Sequence, residues 1–163
     1  MSTATVTETR AKAGKYLTFA LAKEEYGIAI LKVREIMGYM TITAVPRMPE
    51  FVRGIINLRG QVIPVVDLRL RFGMETKEIT EQTCIIMVDI HHSERSSNAG
   101  LIVDRVQEVL DIEQGNIDDA PQFGVGVDTD FILGIGKSGS DIKILLDIDR
   151  VLEGMGTLME GQS

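Results

Sequence analysis

Apolar positions in this chain come in short runs, each closed off by Gly, Pro, Asn, Asp or Ser: residues 16–21, 52–58, 62–68, 83–90, 100–103, 131–135 and 142–148. Runs this short with turn-forming borders read as strands. Ile and Val together number 33 against 13 Leu, and side chains branched at the β-carbon fit a pleated surface better than a helix. The stretch Val33, Arg34, Glu35 and Ile36 follows Ile30 at a spacing that suits one or two helical turns as well as a strand, and residues 148–152 can begin a terminal helix. The pattern predicts an all-β fold, mainly strands with short helices. Residues 1–14 and 153–163 carry little apolar pattern and are expected to be disordered tails around a single domain at 15–152.

The strand pattern is duplicated. GIAILKVREIM from Gly27 aligns without a gap to GLIVDRVQEVL from Gly100, matching Val33 with Val106 and Glu35 with Glu108. FVRGIINLRGQVIPVVDL from Phe51 aligns to FILGIGKSGSDIKILLDI from Phe131, matching Gly54 with Gly134 and Asp67 with Asp147. The glycine of the first block and the phenylalanine of the second lie 24 residues apart in one half and 31 in the other, which places an insertion at 114–130. A unit of about 65 residues buries only about 60% of its unfolded surface, so it is marginal alone. Two similar five-stranded β-barrel subdomains sharing a core are therefore expected, approximately residues 15–82 and 83–152, with room for exchange of chain between them. A groove where they meet is a favoured binding place.

Composition narrows the partners. The chain has 163 residues and a formal net charge of −7, and 44% of it is hydrophobic. Nonspecific nucleic-acid binding needs Lys and Arg to displace counterions, so nucleic acid is an unsuitable partner. Residues 1–82 hold 12 Lys and Arg against 9 Asp and Glu, while residues 83–163 hold 5 against 15. Unlike halves suit a molecule that shows different faces to different partners. Cys84 is the only cysteine, so no internal disulfide forms, and a reducing compartment fits. With no apolar leader in the first fifteen residues and no run of the roughly 18 apolar residues of a membrane span, the expected location is the cytoplasm.

Candidate chemistry is sparse. His91 and His92 are adjacent in the polar stretch HHSERSSN, which reads as a surface loop and suits neither a metal pair nor an oriented base. Cys84 sits in an apolar run and reads as a buried structural thiol. GIGKSG from Gly134 spells a nucleotide fingerprint, but a strand-like run follows where a helix N-terminus is required, so it reads as a hairpin. Asp118, Asp119, Asp128 and Asp130 lack the ligand spacing of a calcium loop and read as solvated carboxylates. Met37, Met40 and Met48 read as core filling. No set of residues assembles a nucleophile, a base and an oxyanion site, so no enzyme, metal or cofactor is expected.

The most specific segment is VPRMPEFVRGIINLRGQVIPVVDLRLRFG, residues 45–73. Gly54 permits close backbone approach, and Asn57, Leu58, Arg59 and Gly60 make a turn between two strands. Pro64 implies an edge or a bulge. Arg59 is presented near that turn, where Glu35 can supply a carboxylate partner. With EEYGIAILKVREIMGY, IPVVDLR, GLIVDRVQEVL and DAPQFG in the same order, the chain from about residue 15 to 152 resembles the CheW family of chemotaxis coupling proteins. That resemblance implies a non-enzymatic adaptor between the cytoplasmic tips of chemoreceptors and the histidine kinase CheA, monomeric when free and recruited to receptor arrays without inserting into the membrane. A related module occurs in CheA and in CheV, but 163 residues leave no room for a kinase core or a receiver.

By position, the resemblance implies a receptor-binding groove of Ile30, Val33, Glu35, Arg59, Gly100, Val103 and Val106, where a helix would pack on apolar anchors with a few polar fixers. It implies contacts with the regulatory domain of CheA at Glu24, Arg53 and Val62 on the first subdomain and at Gln122 and Phe123 in the insertion. Plain core is the competing role for Val33, Val103 and Val106, and a fold-holding ion pair for Arg59 and Glu35. A small barrel binding a metabolite in its groove is the alternative function.

Overall fold

The computed structural model describes residues 11–92, 95–119 and 129–153. The strands are β1 (Gly14–Leu21), β2 (Glu24–Ala29), β3 (Val33–Gly38), β4 (Val52–Leu58), β5 (Gln61–Asp67), β6 (Cys84–His92), β7 (Arg95–Val103), β8 (Arg105–Ile112), β9 (Ile117–Asp118), β10 (Ile132–Ser138) and β11 (Asp141–Leu146). Two four-residue helices, α1 (Leu68–Arg71) and α2 (Ile148–Val151), follow β5 and β11. Each helix is capped by the aspartate that the repeat aligns. Asp67 accepts from the Arg69 N–H at 3.0 Å, and Asp147 accepts from the Arg150 N–H at 3.2 Å. The fold is mainly β with short helices, as the apolar pattern predicts. The ambiguous stretch after β2 resolves into a single 3-10 turn at Ile30–Lys32 followed by β3.

The strands form two open sheets, ordered β8-β1-β2-β11-β10-β9 and β3-β6-β7-β5-β4. The expectation of closed five-stranded barrels is corrected by this order, because the end strands of each sheet do not pair with one another. One free edge is taken by other chain: Thr43 bridges to Ile55 of β4. At the matching place in the other sheet, β9 pairs with β10 over two residues. Glycine makes both approaches possible. A Cβ on Gly54, whose φ is +148°, would stand 2.0 Å from the Thr43 carbonyl oxygen, and one on Gly134 would stand 2.9 Å from that of Asp118.

The five-stranded sheet is one continuous stretch of chain, from Val33 to Val103, whereas the six-stranded sheet combines β1 and β2 with β8 to β11. The chain crosses between sheets twice, through Ile30–Lys32 and through the single residue Asp104. Equivalent hairpins are exchanged. β2 runs parallel to β11, and β7 runs parallel to β5, so each half of the repeat lends its first hairpin to the other half's sheet.

Side-chain alternation gives each sheet two apolar faces. Between the sheets lies the main core, which includes Phe19, Tyr26, Val66, Val88, Leu101, Val103 and Leu146. The outer face of the five-stranded sheet packs Ile56, Ile63, Val65, Ile85, Met87 and Ile102, with Met37 and Met40 partly buried against them. The other outer face packs Ala11, Tyr16, Ile112, Ile117 and Leu145. Burial of Ala11 carries ordered chain three residues ahead of β1. Of the tails expected at 1–14 and 153–163, residues 1–10 and 154–163 lie outside the described residues.

Three local expectations change. His91 belongs to strand β6 rather than to a loop, because the β6–β7 hairpin carries its ladder out to the pair His92 and Arg95. Cys84 is half-buried rather than buried, and its thiol donates to the Gln82 carbonyl oxygen at 3.3 Å. Pro64 lies on an interior strand, but the parallel ladder of β5 with β7 begins only at Val65, so the proline costs that ladder nothing. Among the described residues no helix is long and apolar enough to cross a membrane, and no group of His, Cys, Asp and Glu could hold a metal ion.

Candidate functional site

The residues expected to line a groove divide between two faces. Val33 pairs with Val88, and a bulge at Arg34 then brings Glu35 opposite Met87. Because Val88 faces the core between the sheets and Met87 faces the outer core, the extra residue turns Val33 and Glu35 to opposite sides. Ile30, Val33 and Val106 are partly buried against the core between the sheets, and Val103 is buried in it. Gly100 is buried on the outer face, where an added Cβ would stand 2.8 Å from Ile85 Cγ2. The structure thus sets four of the seven in or against the core between the sheets, and Glu35, Arg59 and Gly100 on the other side of the sheet.

Glu35 and Arg59 do meet. The Arg59 guanidinium donates to a Glu35 carboxylate oxygen, with side-chain exposures of 70% and 37%. Exposure at that level makes the pair worth little to stability. What presents Arg59 is the two-residue turn between β4 and β5, in which Arg59 has φ 52° and Gly60 φ 87°. Positive φ at both centres is the signature of the mirror-image hairpin turn, for which Asn-Gly is the usual pair. Asn57 steadies the turn by accepting from the Gly60 N–H at 3.0 Å. Arginine at the first centre costs on the order of 1 kcal/mol, so the turn keeps a charged side chain where the backbone prefers another residue.

An open depression of about 350 Å³ lies beside this pair, lined by residues that include Arg34, Glu35, Arg59, Ile63, Met87 and Asn98. Arg34 is itself paired with Asp89 at 3.1 Å. In the six-stranded sheet the equivalent place is filled. There Glu25, Gln107 and Lys143 stand where Asn98, Arg34 and Ile63 stand in the five-stranded one. The buried Lys143 pairs with Glu25, which also accepts from Gln107 at 3.0 Å. The hydrogen bond from Lys143, and then that from Gln107, hold the Glu25 carboxyl below its ordinary value.

Of the residues expected to face a kinase, Val62 is 59% exposed near the start of β5, and Arg53 is half-buried on β4 with Asp67 at 3.9 Å. Glu24 is exposed at the start of β2, and so lies on the six-stranded sheet rather than beside Arg53 and Val62. The exchange of hairpins is the reason. Gln122 and Phe123 lie outside the described residues.

Several charged residues that the sequence reading passed over tie the two sheets together. Asp104 accepts from Arg69 at 2.8 and 2.6 Å and from the Ala22 N–H at 2.8 Å, with Lys77 at 3.9 Å. Burial pushes the Asp104 carboxyl up, but the hydrogen bonds from Arg69 and Ala22, with the charges of Arg69 and Lys77, outweigh it and hold the group below its ordinary value. Lys32 pairs with Asp149 at 2.8 Å. Arg71 lies 4.7 Å from the Phe51 ring centre and 4.6 Å from that of Phe131. Asp104 falls inside the repeated GLIVDRVQEVL block at the position of Leu31 in the first copy, and that replacement of an apolar residue by a charge was the one available signal.

Comparison with known proteins agrees on one family. The model of a family described as CheW, CheW-like domain, matches residues 15–155. The chemotaxis protein CheW of Klebsiella aerogenes is 38% identical over 138 residues, covering 85% of this chain and 81% of that one. That of Bacillus subtilis is 35% identical over 140 residues, covering 85% and 86%. A solved structure, that of the scaffolding protein TtCheW from Thermoanaerobacter tengcongensis, superposes with a TM-score of 0.79 at 39% identity, covering 88% of this chain and 95% of that one.

Proposed function

The chain belongs to the CheW-like family, whose members are adaptor proteins rather than enzymes, and on that premise we propose that it couples the cytoplasmic tips of chemoreceptors to the histidine kinase CheA. The observation that carries the reading is that Ile30, Val33 and Val106, beside the buried Val103, pack against the core between the sheets and stay only partly covered. A receptor helix laid there finds apolar anchors from both sheets. Glu35 and Arg59, on the other side of β3, serve as polar fixers at its margin.

The regulatory domain of the kinase meets the five-stranded sheet at Arg53 and Val62, with Glu24 on β2 and Gln122 and Phe123 of the insertion adding contacts. Val62 supports this assignment, since an apolar side chain so exposed is idle in the free protein. The free adaptor is a cytoplasmic monomer, and its partners recruit it to the receptor array. The metabolite reading calls for an enclosed cavity, whereas the depression beside Arg59 is open to solvent.

Purified protein is mixed with a soluble chemoreceptor cytoplasmic fragment, with CheA, and with both. The reading expects each to bind separately, a ternary complex to form, and kinase activity to rise under receptor control. A folded chain that captures neither partner would sink it.

A further inference from the structure

The two crossovers between the sheets are also where the apolar groove residues sit. Ile30 opens the first crossover and Val33 follows it, while Val103 precedes the second and Val106 stands two residues after it, at the same spacing and in aligned positions of the repeat. Each crossover carries one charge tied to a helix. Lys32 reaches Asp149 on α2, and Asp104 holds Arg69 on α1. Both contacts arise in the same way: β2 lies parallel to β11 and β7 to β5, so the chain leaving each strand emerges beside the helix that follows its neighbour.

Arg69 and Asp149 are themselves aligned, directly after Leu68 and Ile148, yet their charges are opposite. The crossover charges are opposite too. Had each half kept its own hairpin, β2 would lie beside β5 and β7 beside β11. Lys32 would then face Arg69, and Asp104 would face Asp149. Like charges in half-buried positions disfavour that arrangement, whereas the exchanged one pairs both. Backbone groups reinforce each pair, through Ala22 N–H on Asp104 and His91 N–H on Asp149 at 3.0 Å.

We propose that Lys32 and Asp104 are positioning residues of the groove: their charge-reversed pairs with Asp149 and Arg69 seat each crossover on the helix of the opposite half and so fix where Ile30, Val33, Val103 and Val106 stand. The role as a receptor contact rests on the adaptor reading, while the positioning itself does not.

The test uses the full chain with Lys32→Asp, Arg69→Asp and the two reversals, Lys32→Asp with Asp149→Lys and Arg69→Asp with Asp104→Arg. Binding of a soluble chemoreceptor cytoplasmic fragment is read beside the methyl resonances of Val33 and Val106. Each single change is expected to weaken binding of the fragment by at least about tenfold and to shift both valines, and each reversal to recover at least about threefold of that loss, since it restores the attraction but not the carboxylate that accepts from the Ala22 or His91 N–H. Binding of the kinase regulatory domain stays within about twofold throughout. Unmoved valine methyls in the folded single variants, or reversals that fold without recovery, overturn the proposal. If the unaltered chain does not bind the fragment, the adaptor reading falls and the valine shifts alone decide the positioning. Should Arg69→Asp not fold, the more exposed Lys32 and Asp149 pair carries the same comparison.

Discussion

Arg71 and Val151 occupy the same position in the two copies of the repeat, and the Nε of the first donates to the carbonyl oxygen of the second at 2.7 Å. The same guanidinium lies against Phe51 and Phe131, which are also repeat equivalents. One arginine therefore sits where the two halves of an imperfect duplication face each other, in a place that admits one such side chain and finds valine opposite.

Arg71→Ala is expected to remove two cation–ring contacts and a hydrogen bond to a carbonyl, at about 2–4 kcal/mol in total. Thermal and urea unfolding measure it. Arg71→Lys should recover less than half, because an ammonium cannot lie flat against two rings while keeping the bond to Val151.

The turn at Arg59 separates backbone strain from side-chain role. Arg59→Gly should be more stable than Arg59→Ala by about 1 kcal/mol, since only glycine is at ease at φ 52°. Both should lose receptor coupling to a similar degree. A coupling loss confined to the less stable variant would assign the arginine to folding instead.

Much of the fold was legible because strands with one covered face announce themselves by alternation and turn residues. Residues 52–58 were delimited as β4 spans them, and the aligned Asp67 and Asp147 proved to be helix caps. Sheet membership was not legible, because which hairpin pairs with which strand depends on contacts distant in sequence, from Val65 with Gly100 to Tyr26 with Ile144. The same limit hid the sides on which Val33 and Glu35 lie. One extra residue in β3 reverses the alternation, and no composition rule marks it.

Tyr26 is fully buried, its hydroxyl has no hydrogen-bond partner among the described residues, and its ring stacks on Phe19 and Phe72. Tyr26→Phe should be neutral to stabilising, by up to about 1 kcal/mol, as an unpaired buried hydroxyl is removed. Burial, and then the charge of Glu24, push the phenol up to about 12. A folded-state value raised by burial penalises the phenolate in the fold, so stability is untouched by this group below the ordinary value of 10.0 and falls as pH climbs toward about 12. Alkaline unfolding followed by circular dichroism should shift to higher pH in the phenylalanine variant.

Asp104 acts at the other end of the scale. With its folded-state carboxyl held below its ordinary value of 3.8, its contribution is present above that value and is lost as pH falls through the lower, folded one. Asp104→Asn should therefore lower the melting temperature at pH 7 while flattening its dependence on pH below about 4. An unchanged acid slope would mean that other carboxylates govern acid unfolding.

Gly54→Ala should be among the most damaging single changes, above about 3 kcal/mol, because its Cβ would meet a carbonyl oxygen at 2.0 Å. Gly38→Ala, with nothing within 4 Å, is the matched control and should stay within about 0.5 kcal/mol. Unfolding midpoints of the pair decide the point.

The five-stranded sheet leaves and rejoins the rest of the chain at Ile30–Lys32 and at Asp104 alone. Two attachment points define a line through the molecule, and Val33, Val103 and Val106, each within two residues of an attachment point, are held at its ends by the covalent chain as well as by packing.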